Sequence, residues 1–234
     1  MLDAARSEDR EFGRFAILLA ALVIFMCGIA FVDSDEGLGP WVVRLGTVSL
    51  LLAAVYTASE RRWHLIVALG LALPALGTQL HEALIHDRGI YLLRASFNAS
   101  LLFYTALLVS IALVKQHRVS VDTILGGINV YLLFAIGFMF LHGIVEVSNP
   151  GSYEVQGQIL TEVIGETPGV RAAGMLLYFS IVTMTTLGYG DIVPVAPVAR
   201  MLCGVEAMAG QLYVAIFIAR LVAIQIGQAS GRNR

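Results

Sequence analysis

The residues with the clearest chemical potential form one short segment, Thr185–Asp191, which reads TTLGYGD. Two glycines flank one tyrosine, a pattern that suits a strand-like loop with positive φ at alternate residues. Such a backbone can direct successive carbonyl oxygens to the same side. Four copies around one axis would stack rings of oxygens that replace the water around a dehydrated cation. The segment therefore predicts a filter for cations.

A filter at membrane depth needs spanning elements around it, and the composition predicts them. Hydrophobic residues make up 58% of the 234 residues and charged residues 14%, against about 45–50% and about 25% in soluble domains. This balance excludes a soluble enzyme and a disordered chain. No nucleic-acid partner is expected from 15 basic and 17 acidic residues without a basic cluster. We expect a polytopic protein embedded in the lipid bilayer.

Six stretches are long and apolar enough to cross a bilayer core of about 30 Å as helices. A seventh, Ala172–Met184, is too short to cross and predicts a re-entrant helix just before the filter. The six predicted spans are Phe15–Val32, Trp41–Ala58, Trp63–Leu80, Ile90–Val114, Val121–Val145 and Val195–Ile226.

Basic residues are concentrated in alternate loops of this arrangement. The remaining loops are acidic or carry a single arginine. Because basic loops face the cytoplasm, we expect both termini to be cytoplasmic, in the plasma (cell inner) membrane. The residues that carry this bias are Arg6, Arg10, Arg14, Arg61, Arg62, Lys115, Arg118, Arg232 and Arg234.

The stretch Tyr178–Pro194, YFSIVTMTTLGYGDIVP, closely resembles the pore helix and filter of the potassium-channel superfamily. The resemblance covers roughly Val121–Ile226. Within it, the stretch Arg200–Val222 is similar to small prokaryotic potassium channels in particular. It implies an all-α membrane protein with six transmembrane helices, a re-entrant pore helix and an extended selectivity filter, assembled as a fourfold tetramer. The chain then divides into a cytoplasmic N-terminus (1–14), a four-span peripheral domain (15–114), a pore domain (115–226) and a cytoplasmic tail (227–234).

The same resemblance implies roles for single residues, with potassium ions as the permeant ligand and no organic cofactor. Asp191 would lie at the outer mouth and concentrate cations there. Val182 stands where some members carry a glutamate that bonds the residue matching Asp191, so that bond cannot form here. The predicted potassium ligands are Thr186 (carbonyl and hydroxyl), Leu187, Gly188 and Tyr189, with Gly190 permitting the backbone conformation.

The last span carries candidate gating residues. Gly210 lies twenty residues beyond Gly190, where the resemblance places the hinge of the inner helix. Close helix packing is an equally good interpretation, because small residues are common at membrane helix interfaces. If Gly210 faces near the cavity, helical spacing places Val214 and Ile218 along its lining, where they could form a hydrophobic gate.

Ionisable residues within the spans suggest few further roles. Glu206 is a candidate intramembrane acid. We favour a structural tie through Arg200 or the pore-helix backbone, and the alternative is a negative field on the permeation path or a protonation that changes with pH. His142 is interpreted as a packed or interfacial histidine. Arg44 and Arg94 stand alone in spans two and four, and a voltage sensor needs several arginines in one span. We therefore expect no steep voltage gating.

Two outer segments carry further turn and polar patterns. Glu146–Arg171 predicts a turret over the pore mouth, with a turn at Asn149–Ser152 and helical spacing over Gln156–Ile164. The histidines of His81–Asp87 are five residues apart, whereas the zinc-protease pattern needs four. We interpret His81–Asp87 as an ordinary polar loop, with metal or proton sensing as the alternative.

The sequence thus predicts a passive potassium channel and no enzyme. Because the chain has one filter segment and a pore needs four, we expect a homotetramer. Only eight residues follow Ile226, so no nucleotide- or calcium-binding module is expected in this chain, and a separate regulatory subunit stays open. The alternatives are a non-conducting accessory subunit, a weakly selective cation channel and a membrane enzyme using His81–Asp87.

Overall fold

A computed structural model describes residues 2–30, 39–58, 62–82, 87–116, 120–165 and 168–232. This part of the chain forms eight helices and one small sheet. The helices are α1 (Leu2–Ala30), α2 (Gly39–Ala58), α3 (Arg62–Glu82), α4 (Arg88–Lys115), α5 (Val121–Ser148), α6 (Leu160–Ile164), α7 (Val170–Met184) and α8 (Pro197–Arg232). The strands are β1 (Tyr153–Val155), β2 (Gln158–Ile159) and β3 (Ile192–Pro194).

Five of the helices, α2 to α5 and α8, are long and apolar enough to cross a membrane. The prediction of an all-α membrane protein is therefore confirmed. The apolar part of α1, Phe15–Ile29, is shorter than a spanning segment. Since the predicted first span ends at Val32, outside the described residues, the count of six spans stays a prediction. The short helix α7 agrees with the expected re-entrant segment.

The long helices pack into one bundle around α5. Helix α4 lies along α5 on one side and along α3 on the other, while α1 contacts α2, α5 and α7. Where α8 crosses α5, a Cβ atom added at Gly127 would lie 2.1 Å from Cζ of Phe217. The Tyr213 hydroxyl donates a hydrogen bond of 2.8 Å to the Gly127 carbonyl in the same contact. Glycine at this position is what allows the inner helix to approach.

The outer segment corrects one expectation. Helical structure was predicted over Gln156–Ile164, but only α6 is helical there, and β1 and β2 form a hairpin before it. Gln156 and Gly157 both have positive φ, 51° and 83°, as the favoured two-residue hairpin turn requires. The hairpin then pairs through β1 with β3 in the order β2-β1-β3. The turret is thus attached to the strand that follows the filter.

The predicted last span also begins later than expected. The backbone N–H groups of Val195 and Ala196 donate to the Ser152 carbonyl, at 2.9 and 3.3 Å. They therefore extend the turret contact instead of entering the helix. Helix α8 begins at Pro197, because proline is well suited to a first helical turn.

We expect Gly127→Ala to lower the free energy of unfolding by about 1–3 kcal/mol, the range for overpacking a tight contact. Gly70→Ala is the matched control, since a Cβ at Gly70 meets no atom within 4 Å. Thermal unfolding in detergent would compare the two variants. Equal unfolding temperatures would contradict the packing assigned to Gly127.

Candidate functional site

The filter segment begins where the backbone folds back on the end of α7. Helix α7 ends at Met184, and Thr185 caps it through its N–H and hydroxyl, both of which donate to the Ile181 carbonyl, at 3.0 and 2.7 Å. The N–H groups of Leu187 and Gly188 then donate to the Val182 carbonyl, at 2.9 and 3.4 Å. The start of the filter is therefore held by the last turn of the pore helix.

The backbone beyond this point alternates in the sign of φ. Thr186, Gly188 and Gly190 have positive φ of 58°, 59° and 78°. Alternation of this kind brings successive N–H groups to one side of the chain, which leaves the carbonyl oxygens for the other side. The glycines were expected to adopt positive φ, but Thr186 was not. A non-glycine residue in this region is strained by about 1–3 kcal/mol and persists only where its surroundings hold it.

The predicted ion ligands lie on the surface of the single chain. Residues 185–190 are all exposed, and Leu187 and Tyr189 are exposed by 55% and 67%. These five predicted positions, Thr186 to Gly190, are therefore contiguous and open to neighbouring molecules. Their role in binding potassium stays a prediction.

Four buried polar side chains form a hydrogen-bonded network centred on Glu206. Its Oε2 atom is 2.7 Å from Nε2 of His142, and its Oε1 atom is hydrogen-bonded to the Ser180 hydroxyl. Nδ1 of His142 is in turn 2.7 Å from the Tyr153 hydroxyl. All four side chains are completely buried. This network links α8, α5, α7 and β1, and it holds the pore helix α7 against the long helices α5 and α8.

The structural interpretation of Glu206 is thus supported, with different partners from those expected. Arg200 does not reach it: the Arg200 Nε atom donates to the Pro194 carbonyl at 3.2 Å. His142 and Ser180 were missed as partners. The available signal was that an ionisable residue in an apolar span needs a partner there, and the pore unit carries both an acid and a histidine.

A second buried acid organises the turret. Glu146, near the end of α5, accepts hydrogen bonds from the N–H groups of Gly151 and Tyr153, at 3.1 and 3.2 Å, and from the Thr161 hydroxyl. Burial raises the pKa of the Tyr153 phenol above its usual range. Glu146 was assigned to the outer loop by sequence, whereas α5 continues to Ser148.

The candidate outer-mouth residue, Asp191, is held on two sides. Its Oδ2 atom accepts a hydrogen bond of 2.8 Å from the Tyr178 hydroxyl. Its backbone carbonyl accepts one of 3.0 Å from the Gln156 N–H of the hairpin turn. Val182 cannot bond this carboxylate, as expected, but Tyr178, one helical turn earlier in α7, does. Tyr178 was not expected as a substitute.

Gly210 lies against the end of the pore helix. A Cβ atom added there would be 2.5 Å from the Met184 carbonyl oxygen. The packing interpretation therefore gains direct support, and the hinge stays a prediction. Val214 and Ile218, the candidate gate residues one and two turns further on, are exposed by 37% and 54%. Beyond them, Nη2 of Arg220 donates to the carbonyls of Val114 and Gln116 at the end of α4.

Of the polar stretch His81–Asp87, the structure describes the end of α3 and the residue that caps α4. Asp87 caps α4 by accepting hydrogen bonds from the N–H groups of Gly89 and Ile90, at 2.7 and 3.1 Å. Residues 83–86 lie outside the described part of the chain. Within the described residues, no group of three or more histidine, cysteine or acidic side chains could hold a metal ion.

Comparisons with known proteins identify relatives of the pore unit. A family model described as "Ion channel" matches residues 152–225. The inward rectifier potassium channel Kirbac3.1 of Paramagnetospirillum magnetotacticum is 30% identical over 84 residues, 36% of this chain and 22% of the relative. The two pore potassium channel a of Oryza sativa subsp. japonica is 39% identical over 61 residues, 25% of this chain and 18% of the relative.

Protein LctB of Bacillus caldotenax is 26% identical over 114 residues, 45% of this chain and 75% of the relative. No solved structure matches the chain. The chain spans well under two thirds of the length of the two potassium channels just named. The similarity is thus concentrated in the turret, pore helix, filter and inner helix.

We expect Glu206→Ala to lower the free energy of unfolding by about 2–5 kcal/mol, because it leaves His142 without its partner and opens a buried cavity. Glu206→Gln should lose much less, since the amide retains an acceptor and a donor. Thermal unfolding in detergent measures both, with the exposed Glu162→Ala as control. A loss for Glu206→Ala no larger than for Glu162→Ala would contradict the network.

Gly210→Ala separates packing from hinge. If packing dominates, the added methyl displaces the end of α7 and lowers stability by about 1–3 kcal/mol. If Gly210 is only a flexible hinge, alanine should raise the stability of α8 by about 1 kcal/mol. We expect a lower unfolding temperature for Gly210→Ala. Gly204→Ala on the same helix is the control, because its Cβ meets no atom within 4 Å.

Proposed function

We propose, because its pore unit is similar to an ion-channel family and to potassium channels, that the chain belongs to the potassium-channel superfamily and forms a passive, potassium-selective channel. Four copies would assemble as a homotetramer in the plasma membrane, with both termini in the cytoplasm. Potassium would pass down its electrochemical gradient through rings of backbone oxygens from Thr186, Leu187, Gly188 and Tyr189. Under this proposal the chain is a channel and not an enzyme.

The observation that carries this proposal is the backbone of the filter segment. Positive φ recurs at Thr186, Gly188 and Gly190, directly after a short helix whose last turn holds the filter by backbone hydrogen bonds. A dehydrated cation needs several oxygens at fixed positions to replace its hydration shell. A backbone held at both ends, by Val182 and by the turret hairpin, meets that requirement.

The electrostatic environment favours cations. The C-terminus of α7 is directed at the filter, and a helix C-terminus carries partial negative charge. At the other end of the filter lies the Asp191 carboxylate, which raises the local cation concentration. Both features would attract potassium without binding it tightly, which conduction requires.

The burial of the spans supports oligomerisation. In the apolar part of α5, 61% of the residues are buried within the chain, whereas in the apolar part of α8 only 6% are buried. An inner helix with so much exposed surface in a single chain is expected to contact other helices. Copies of the same helix around a central axis would bury that surface. A filter with only one strand per chain needs the same arrangement.

The isolated arginines support a channel without steep voltage dependence. The guanidinium groups of Arg44 and Arg94 lie 5.3 and 5.2 Å from the ring centroids of Trp41 and Tyr91. Single charges held against aromatic rings supply little gating charge. Opening would instead depend on α8, with Gly210, Val214 and Ile218 as candidate hinge and gate. A separate regulatory subunit remains compatible with this arrangement.

Purified protein in liposomes tests the proposal. We expect potassium-driven flux that barium blocks, with no sodium flux. Gly188→Ala should abolish the flux, because a positive φ is unfavourable for alanine and the filter backbone would shift to relieve it. Gly77→Ala is the matched control, since its Cβ meets no atom within 4 Å.

A binding measurement separates a closed pore from a wrong assignment. Potassium should raise the unfolding temperature of the protein above its value in sodium, and Gly188→Ala should remove the difference. Equal potassium and sodium flux would favour the weakly selective cation channel. Absence of both flux and potassium-dependent stabilisation would favour the non-conducting accessory subunit.

A further inference from the structure

The buried network around Glu206 is a row of four contacts between polar atoms, and the hydrogen atoms in it can be counted. The Tyr153 hydroxyl lies 2.7 Å from Nδ1 of His142, and Nε2 of His142 lies 2.7 Å from Oε2 of Glu206. Oε1 of Glu206 contacts the Ser180 hydroxyl, which in turn lies 2.7 Å from the backbone carbonyl oxygen of Ala135. Each contact is a hydrogen bond only if one hydrogen atom lies between its two heavy atoms.

The contact between Ser180 and Ala135 fixes the direction of the hydrogen bonds at one end of the network. A backbone carbonyl oxygen can only accept, so the Ser180 hydroxyl has to donate its one hydrogen to Ala135. The Ser180 oxygen is then an acceptor toward Glu206. The hydrogen in that contact has to come from Oε1 of Glu206, and a glutamate with a hydrogen on one oxygen is a neutral carboxylic acid.

The Tyr153 hydroxyl fixes the direction at the other end. It carries one hydrogen, and among the described residues its hydrogen-bond partner is Nδ1 of His142. Because Tyr153 is completely buried, this hydrogen has an acceptor only if Nδ1 carries no hydrogen itself. His142 is then a neutral ring with its hydrogen on Nε2, which donates to Oε2 of Glu206. Both ends of the network therefore require the same uncharged arrangement.

A charged pair of His142 and Glu206 would hold the same number of hydrogens in a less favourable arrangement. It would place a second ring hydrogen on Nδ1, which leaves the hydrogen of Tyr153 without an acceptor. It would also leave Ser180 with one hydrogen for two acceptors. A buried polar group without a partner destabilises the fold, whereas the uncharged arrangement supplies one hydrogen to each contact.

The surroundings of Glu206 supply no positive charge that would stabilise a carboxylate. Within the described residues, its hydrogen-bond partners are His142 and Ser180. Arg200, on the same helix, donates to the Pro194 carbonyl instead. Removing two charges from water costs more than removing two neutral groups. The other titratable side chains that interact electrostatically with Glu206 carry no positive charge, and they are Tyr131, Tyr153 and Cys203.

We propose that Glu206 is a neutral carboxylic acid that donates a hydrogen bond to Ser180, and that it positions the pore helix as a donor and not as a charge. The hydrogen bonds run in one direction, from Tyr153 through His142 and Glu206 to Ser180 and the Ala135 carbonyl. Glu206 then adds no negative field to the permeation path. This consequence for permeation rests on the proposed channel function, whereas the position of the hydrogen does not.

Infrared spectroscopy of the protein in liposomes tests the position of this hydrogen. The difference spectrum between wild type and Glu206→Gln isolates the carboxyl group of Glu206. At neutral pH we expect it to contain the carbonyl stretching band of a carboxylic acid, which isotope-labelled glutamate shifts. Glu162→Gln, which changes an exposed glutamate, is the matched control and should remove carboxylate bands only. A Glu206 difference spectrum with carboxylate bands only would overturn the proposal.

A second measurement uses the wild-type protein and needs no variant to fold. Nitrogen NMR of histidine-labelled protein distinguishes a neutral ring, with a hydrogen on one nitrogen, from a charged ring with hydrogens on both. The His142 signal is identified by slow exchange of its ring hydrogen in deuterium oxide, because this side chain is completely buried. We expect a hydrogen on Nε2 and none on Nδ1. Hydrogens on both nitrogens would contradict the proposal.

Two substitutions of Glu206 separate its role as a donor from a role as a charge. Glu206→Gln keeps the length of the side chain and offers an N–H to Ser180 and a carbonyl oxygen to His142, but it cannot ionise. Glu206→Asp keeps the carboxyl group on a side chain one methylene shorter. We expect Glu206→Gln to retain a higher unfolding temperature and more potassium flux than Glu206→Asp. The reverse order in unfolding temperature would overturn the donor role, whereas absence of flux in the wild type would count against the channel alone.

Discussion

The hydrogen bond between His142 and Glu206 joins the two long helices of the pore unit, and the position of the pore helix depends on it. Both side chains are completely buried, at a depth where no bulk water can replace a lost partner. Ser180 attaches α7 to Glu206, and Tyr153 attaches the turret to His142. One buried acid therefore places three other elements relative to α8.

The filter depends on this placement because its own backbone is strained. Thr186 adopts a positive φ, a conformation that its local sequence does not favour. The last turn of α7 holds one end of the segment through the Val182 carbonyl. The turret hairpin holds the other end through β3 and the Asp191 carbonyl. A segment held from both sides keeps its backbone carbonyl oxygens in fixed positions, as the proposed filter requires.

The inner helix meets the rest of the chain at few points, and glycine makes two of them close. Gly210 admits the end of the pore helix, and Gly127 admits the Phe217 ring. At the far end of α8, Arg220 donates to carbonyls at the end of α4, which ties the inner helix to the peripheral domain. Most of α8 otherwise remains bare within one chain. In the proposed tetramer, neighbouring copies would cover the rest of this surface.

Local patterns in the sequence determined the features that depend on nearby residues. Apolar run lengths predicted the five helices that are long enough to span, α2 to α5 and α8, and the short helix before the filter. Gly188 and Gly190 indicated two of the positions of positive φ. The partners of Glu206, the Tyr178 bond to Asp191 and the positive φ of Thr186 were decided by the tertiary structure. Each joins residues from different elements, or is imposed by such contacts, and pattern within one segment carries no information about them. The hairpin was decided in the same way, because β1 is stabilised by pairing with β3. The paired residues Glu154 and Val193 are 39 residues apart in the sequence.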